Sequence, residues 1–273
     1  MAKKPVTTGK VGICEACCKA ADGLSKDKTN PNSKWICTEC MKTEQEKAMD
    51  IQKRRAAEAE FWGNCYDMNA LGEIVKQTTY GYEMGIFDEY SDEFGDLDLD
   101  GASVTDIGSG PWSLLLRCYN AGKLTAVDPI PWPPSVLRRY NLYSIEFIQK
   151  GGEEVGDLPM ADEVWIYNCL QHVEDPVLVL QNAVKIGRRI RIFEWLNTPV
   201  DTYHLHTLTP ELLMKGLAGT TEERVRTIQL TGRCLGTAFV GSFRAHPAVR
   251  QHTPKLHKPI VGPIMGKSDF SQY

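Results

Sequence analysis

Two carboxylates and two glycines near the middle of the chain have the spacing of a cofactor site. Val104-Thr105-Asp106-Ile107-Gly108-Ser109-Gly110-Pro111 is an apolar run that ends in an acid and passes into a Gly-x-Gly turn. Glycines at such a turn let the backbone approach a ligand closely and take conformations closed to other residues. Leu124-Thr125-Ala126-Val127-Asp128 sets a second acid 18 residues after Gly110, at a strand end where a carboxylate can hold both hydroxyls of a ribose. A dinucleotide fingerprint would want glycine at position 113, which is Ser113. It would also keep acids away from the pyrophosphate, which Asp106 would repel. An adenosyl cofactor with a positively charged amino-acid end suits Asp106 better.

A second chemistry stands at the front. Cys14-x-x-Cys17 and Cys37-x-x-Cys40 have the pairing of a tetrathiolate zinc site. Four thiolates leave no open position, so the Zn²⁺ would be structural, holding a segment too small to fold on its own apolar surface. Cys18 could substitute for Cys17, but Cys17 fits the Cys-x-x-Cys spacing better, which leaves Cys18 as a free thiol or one packed behind the ligands. The nine cysteines are odd in number, and Met1-Ala2-Lys3-Lys4-Pro5 has no secretory leader character. Reduced thiols and a cytoplasmic protein are therefore expected.

The elements that must position these residues follow from periodicity and punctuation. Residues 1–10 read as a leader, and 11–43 show little helical or strand pattern. The stretch 44–64 is rich in helix formers and free of glycine and proline until Gly63, which predicts a connecting helix. A second helix is expected at 66–78 and an acidic loop at 88–100. From Ala102 strands and helices alternate. Strands are expected at 102–107, 124–127, 145–148, 164–170 and 189–195. Helices are expected at 112–120, 136–139, 176–186 and 210–217, the last begun by Thr209 with Pro210 at its first position. Two β-like runs, 224–230 and 237–243, are joined too tightly for a parallel crossover and should pair antiparallel. The alternation predicts an α/β fold with a mostly parallel sheet covered on both faces.

Four motifs in order, Asp-Ile-Gly-Ser-Gly-Pro, Ala-Val-Asp-Pro, Gly-Gly-Glu-Glu-Val-Gly-Asp-Leu-Pro and Tyr-Asn-Cys-Leu-Gln-His-Val-Glu-Asp-Pro, give a chain that resembles the class I S-adenosylmethionine-dependent methyltransferases. The resemblance covers 65–245. It implies a Rossmann-like, seven-stranded sheet with an antiparallel last strand. It also implies that Asp106, Gly108 and Gly110 hold the methionine portion of S-adenosylmethionine, and Asp128 the ribose. Glu153 or Glu154 would approach the adenine, and Asn168 to His172 would border the methyl-transfer site. Tyr80 would cover the cofactor, and His172 could remove the acceptor's proton. No Asn/Asp-Pro-Pro-aromatic motif stands at Asn168, and Cys169 lacks a preceding proline, so two DNA-base methylation patterns are missing. The zinc segment resembles, more weakly, a treble-clef or zinc-ribbon knuckle.

The expected organisation is a zinc module at 1–43, a connecting helix at 44–64, a methyltransferase domain at 65–245 and a proline-rich tail at 246–273. The formal charge is −4, but it is uneven. Residues 1–60 carry 12 Lys/Arg against 9 Asp/Glu, residues 61–200 carry 10 against 21, and residues 201–273 carry 9 against 5. Two basic ends around an acidic middle make nucleic acid the first expectation for the methyl acceptor, ahead of a small molecule or a protein. The competing expectation is a non-enzymatic nucleic-acid- or protein-binding module on a methyltransferase-like scaffold.

Overall fold

The computed structural model describes residues 6–13, 20–27, 53, 56–63, 70–201, 203–231 and 236–246, with backbone alone for 6–13 and 20–27. The chain divides into two units, Met1–Ala56 and Ala57–Tyr273. In the first, β1 (Val6–Ile13) and β2 (Ala20–Asp27) pair antiparallel, with Val6 opposite Asp27 and Ile13 opposite Ala20. This corrects the expectation of a leader followed by a segment without strands. The register shifts twice along the pair, and hydrogen bonding across a ladder does not require regular side-chain alternation. The zinc candidates Cys14, Cys17, Cys37 and Cys40 lie outside the described residues. Among the described residues no group of three or more His, Cys, Asp or Glu could hold a metal ion, and no helix is long and apolar enough to cross a membrane.

The second unit is built on a seven-stranded sheet in the order β10-β11-β9-β8-β4-β6-β7. Its strands are β4 (Val104–Ile107), β6 (Leu124–Val127), β7 (Ile145–Ile148), β8 (Ala161–Tyr167), β9 (Gly187–Trp195), β10 (Thr221–Leu230) and β11 (Gly236–Arg244). Neighbours from β7 through β9 are parallel, while β11 runs antiparallel to both β9 and β10. All four residues of β4 and of β6 are buried, as central strands covered on both faces require.

Alternation along β8 builds the two faces of the core. Trp165 and Tyr167 join Tyr80, Tyr90, Tyr140 and Phe193 on one side, while Val164 and Ile166 join Val179, Leu180 and Leu213 on the other. The first side is covered by α2 (Ala70–Glu83), α3 (Ile86–Tyr90) and α4 (Pro134–Leu142), and the second by α5 (Pro176–Ile186) and α6 (Pro210–Gly216). Residues 56–63 form the helical stretch α1. Asp175 opens α5 by accepting from the amides of Val177 and Leu178, with Pro176 at the first helical position. Thr209 opens α6 in the same way, through Leu212.

The expected helix at 112–120 is replaced by a single 3-10 turn, Leu114–Arg117. The short strand β5 (Cys118–Tyr119) follows and pairs in parallel with β3 (Leu97–Asp98) in the acidic segment. Ser113 caps the start of this turn. Its Oγ accepts from the Leu115 amide at 3.0 Å and donates to Asp106, which ties the first turn to the strand below it.

A buried ion network locks the sheet to α3. Glu163 on β8 accepts from Arg191 Nε at 2.8 Å, Trp165 Nε1 at 2.7 Å and the Tyr90 hydroxyl at 2.8 Å. Arg189 and Arg191 both reach Glu89. Burial alone would raise the Glu163 carboxyl, but Arg191 and Arg189 outweigh it and bring the pKa down to about 2.

Candidate cofactor site

Asp106 sits at the carboxyl end of β4, between Ala126 of β6 and Trp165 of β8. It is fully buried. One oxygen, Oδ2, accepts from Ser113 Oγ at 2.5 Å and from the Tyr167 hydroxyl. The other, Oδ1, has no hydrogen-bond partner among the described residues. Loss of water pushes the pKa up to about 7, against the pull of the Ser113 and Tyr167 hydroxyls and with a further push from Asp128. A buried acceptor left open carries a standing cost that a cationic donor would remove.

The turn after β4 requires its glycines for two different reasons. Gly108 has φ +76°, and a Cβ there would stand 2.5 Å from Cys169 Cβ and 2.7 Å from its sulfur. The turn at 168–172 is thereby packed directly on the glycine turn. Gly110 has φ +57°, and a Cβ there would meet nothing within 4 Å among the described residues.

Groups from the β6–α4 segment hold this turn where a helix was expected to. The Gly110 amide donates to Asp128 Oδ2 at 3.0 Å, and its carbonyl accepts from the Tyr140 hydroxyl. Arg139 donates to the Pro111 carbonyl and lies 3.6 Å from the centre of the Trp112 ring. Asp128 Oδ1 accepts from the Ile130 amide at 2.9 Å. Burial raises the Asp128 pKa to about 6, less the effect of these amides. Each carboxylate oxygen has two lone pairs and can accept more than the one amide bond.

The third motif closes on itself. Glu154 Oε2 accepts from the Gly151 amide, and Glu153 Oε1 accepts from the amides of Glu174 and Asp175 at 2.7 and 3.1 Å. Glu153 thus binds the loop after β8 to the loop after β7.

The turn after β8 begins with Asn168 at φ +52°. Its Oδ1 accepts from Gln171 Nε2 at 3.0 Å. Glu194, at the end of β9, is fully buried, and its Oε1 accepts from the amides of Cys169 and Leu170 at 3.1 Å each. Its Oε2 has no hydrogen-bond partner among the described residues. Burial pushes its pKa up to about 8 against those amides. His172 uses both ring nitrogens: Nδ1 donates to the Tyr203 carbonyl at 2.7 Å, and Nε2 accepts from Gln171 Nε2 at 3.4 Å. Burial lowers its pKa to about 4, so the ring is neutral at physiological pH.

The structure therefore gathers Asp106, Gly108, Gly110, Asp128, Asn168 and His172 at the carboxyl ends of adjacent strands. Tyr80 is a core residue. It is 2% exposed, stacks on Phe193 at 4.3 Å, and accepts from Trp195 Nε1 at 3.4 Å. Tyr167 and Tyr140 were missed by sequence reasoning. Tyr167 ends β8 as part of an ordinary apolar run, and nothing local reveals that its hydroxyl meets a residue 61 positions earlier. Ser113 carried a usable signal, since it stands where a third glycine would be.

No family model matches the sequence, and no curated protein matches it. The fold is similar to that of 1,6-didemethyltoxoflavin-N1-methyltransferase from Burkholderia thailandensis, solved with 1,6-didemethyltoxoflavin and S-adenosylhomocysteine. That match has 16% identity and a TM-score of 0.51, and it covers 74% of this chain and 90% of the other. It is also similar to the N-methyltransferase NodS from Bradyrhizobium japonicum WM9 with S-adenosylhomocysteine, at 14% identity and TM-score 0.45 over 62% of this chain and 86% of that one. Magnesium protoporphyrin IX methyltransferase from Synechocystis PCC 6803 with S-adenosylmethionine matches at 15% identity and TM-score 0.41, over 53% and 70%. By strand order, strand direction and likeness to the first of these structures, the second unit has the Rossmann-like α/β fold of the class I methyltransferases.

Proposed function

We propose that this chain is an S-adenosylmethionine-dependent methyltransferase acting on a nitrogen or oxygen nucleophile. The observation that carries the reading is Oδ1 of buried Asp106, which has no partner among the described residues, beside a left-handed glycine turn where the described residues leave space at Gly110. A dinucleotide offers a pyrophosphate to that position, and an amino-acid-bearing cofactor offers an ammonium group, which satisfies the acid. Asp106 would hold that ammonium group, the Gly108–Gly110 backbone would lie along the chain of the methionine, and Asp128 would take the ribose hydroxyls. Glu153 and Glu154 would flank the adenine side. When bound, the cofactor supplies an electrophilic methyl group. The protein's own part is to align the acceptor and remove its proton.

Titration calorimetry with S-adenosylmethionine and S-adenosylhomocysteine tests this. Binding of both is expected, with Asp128→Ala weakening each by at least ~10-fold, through lost hydroxyl contacts and a loosened Gly110 turn. No binding to the unaltered protein would overturn the reading in favour of the scaffold alternative.

Two finer readings go with it. A structural Zn²⁺ on Cys14, Cys17, Cys37 and Cys40 is supported by their spacing. A nucleic-acid acceptor is supported by the basic ends of the chain, and it requires binding that weakens with salt, at a log–log slope of about −0.7 to −0.9 per phosphate. A slope near zero in oligonucleotide binding would remove nucleic acid as the acceptor.

A further inference from the structure

The loop between β9 and α6 lies over the turn that carries Asn168 and His172. The amides of Leu205 and His206 donate to the Gln171 carbonyl at 2.6 and 3.3 Å, and the Tyr203 carbonyl holds His172. Within this loop Asp201 builds a compact device. Its Oδ1 accepts from the amides of Tyr203 and His204 at 2.7 and 2.8 Å, and its Oδ2 from His204 Nδ1 at 2.9 Å. These contacts, led by the His204 side chain, hold the Asp201 pKa down at about 2.

A carboxylate on Nδ1 fixes the proton there and leaves the lone pair of Nε2 outward. Among the described residues, His204 Nε2 has no hydrogen-bond partner, and the side chain is 23% exposed. The ring lies 5.0 Å from that of His172, whose turn packs on Gly108 through Cys169. The groups around His204 are Asp201 and Tyr203 on its own loop and His172 on the β8–α5 turn. From α1 come Phe61, whose ring is 6.0 Å from Tyr203, and Glu58, 3.8 Å from His172. His206 points elsewhere, with Nε2 toward the carbonyls of Val173 and Glu174.

We propose that His204, oriented by Asp201, is the base that takes the proton from the methyl acceptor, and that His172 is its neutral positioning neighbour. The assignment rests on the methyltransferase reading. The acceptor's N–H or O–H bond breaks, its electron pair stays on the acceptor atom, and the proton goes to Nε2 of His204. The resulting imidazolium is balanced by the Asp201 carboxylate. His172 is the less available of the two, since its Nε2 lies 3.4 Å from the Gln171 amide nitrogen and its Nδ1 is held by the Tyr203 carbonyl. An acceptor that needs such a base carries a weakly acidic N–H or O–H, as a phenol, an azole or a ring amide does.

The test uses the full-length protein, S-adenosylhomocysteine as ligand and diethyl pyrocarbonate as the probe of imidazole nucleophilicity, with modified histidines located by peptide mass spectrometry. S-adenosylhomocysteine affinity should stay within about twofold in Asp201→Asn and His204→Gln, because neither side chain holds the cofactor. At about pH 8, where imidazoles are largely neutral, His204 should react at least ~5-fold faster than His172. Asp201→Asn should slow His204 ~3-fold or more, and saturating S-adenosylhomocysteine should shield it to a similar degree. Slow reaction at His204, indifference to Asp201→Asn, or no shielding by a ligand that calorimetry shows to be bound would each overturn the proposal. Absence of cofactor binding to the unaltered protein would instead bring down the methyltransferase reading on which it stands.

Discussion

The Gly110 amide donates to Asp128 Oδ2 across 3.0 Å, joining two residues 18 positions apart. The acid after β6 therefore shapes the glycine turn. Tyr140 holds the carbonyl of the same glycine, so Gly110 is fixed on both sides by the β6–α4 segment. That bracing replaces the helix that does not form after the turn.

Asp106 should bind the cofactor as a carboxylate. Its pKa in the free protein is about 7, so a cationic partner at Oδ1 displaces a proton. S-adenosylhomocysteine affinity is expected to rise from pH 6 to about 7 and then level off, with proton release visible as a buffer-dependent calorimetric enthalpy. Asp106→Asn should weaken binding by at least ~10-fold and abolish this pH dependence. Unchanged affinity in the variant would remove Asp106 from the site.

The unliganded protein should lose stability as pH rises. Asp106, Asp128 and Glu194 have folded pKa values of about 7, 6 and 8, all above the usual carboxylate range. A raised acid binds its proton more tightly in the folded state. Its contribution is then full below the unfolded pKa near 4 and is lost as pH climbs through the folded value. The loss is at most about 1.4 kcal/mol for each pH unit that separates the folded pKa from the unfolded one. Thermal melts between pH 5 and 9 should show a declining midpoint, and saturating S-adenosylhomocysteine should flatten the decline.

Glu194 should set the geometry of the 168–172 turn through its neutral form. Glu194→Gln keeps an acceptor for the Cys169 and Leu170 amides, and is expected to preserve S-adenosylhomocysteine affinity within about twofold. Glu194→Leu leaves both amides without that acceptor and should cost about 1–3 kcal/mol of stability, with faster amide exchange at those two positions. Equal exchange in the two variants would show that Glu194 does not hold the turn.

The Glu163 network should behave as a pair rather than as two separate contributions. Glu163→Gln removes one of the two carboxylates on Arg191 and leaves it Glu89 and the Met84 carbonyl, so it is expected to cost about 1–3 kcal/mol, while Glu163→Leu, which removes every acceptor at that position, costs more unless Arg191→Met accompanies it. In the unaltered protein the contribution is present above the unfolded pKa near 4.5 and is lost as pH falls toward 2, the folded value. Denaturant titrations of the three proteins at pH 7 decide the first point, and an acid titration the second.

Protein purified without chelator should carry one zinc per chain. Cys37→Ser should release it and leave S-adenosylhomocysteine affinity within about twofold, since a closed tetrathiolate site is structural. Elemental analysis that finds no metal would dispose of the zinc reading.

By itself the sequence determined the elements whose signals are local. Strand β7 and helix α5 fall at the expected residues, Ile145–Ile148 and Pro176–Ile186. A short run between polar ends specifies the one, and an aspartate–proline start the other. The placement of Asp106, Asp128 and the glycine turn at the ends of β4 and β6 was equally legible, because each follows an apolar run that reads locally as a strand. Tertiary structure decided what those groups touch. The 3-10 turn at Leu114–Arg117 displaced a helix because Cys118–Tyr119 took up an extended pairing with Leu97–Asp98. Tyr80 went into the core because Phe193, 113 residues later, offers a face to stack on. Tyr167, Tyr140 and Glu194 entered the site by bonds to backbone and side chains far away in the chain. No local pattern encodes such contacts, since they exist only once the sheet has brought the strand ends together.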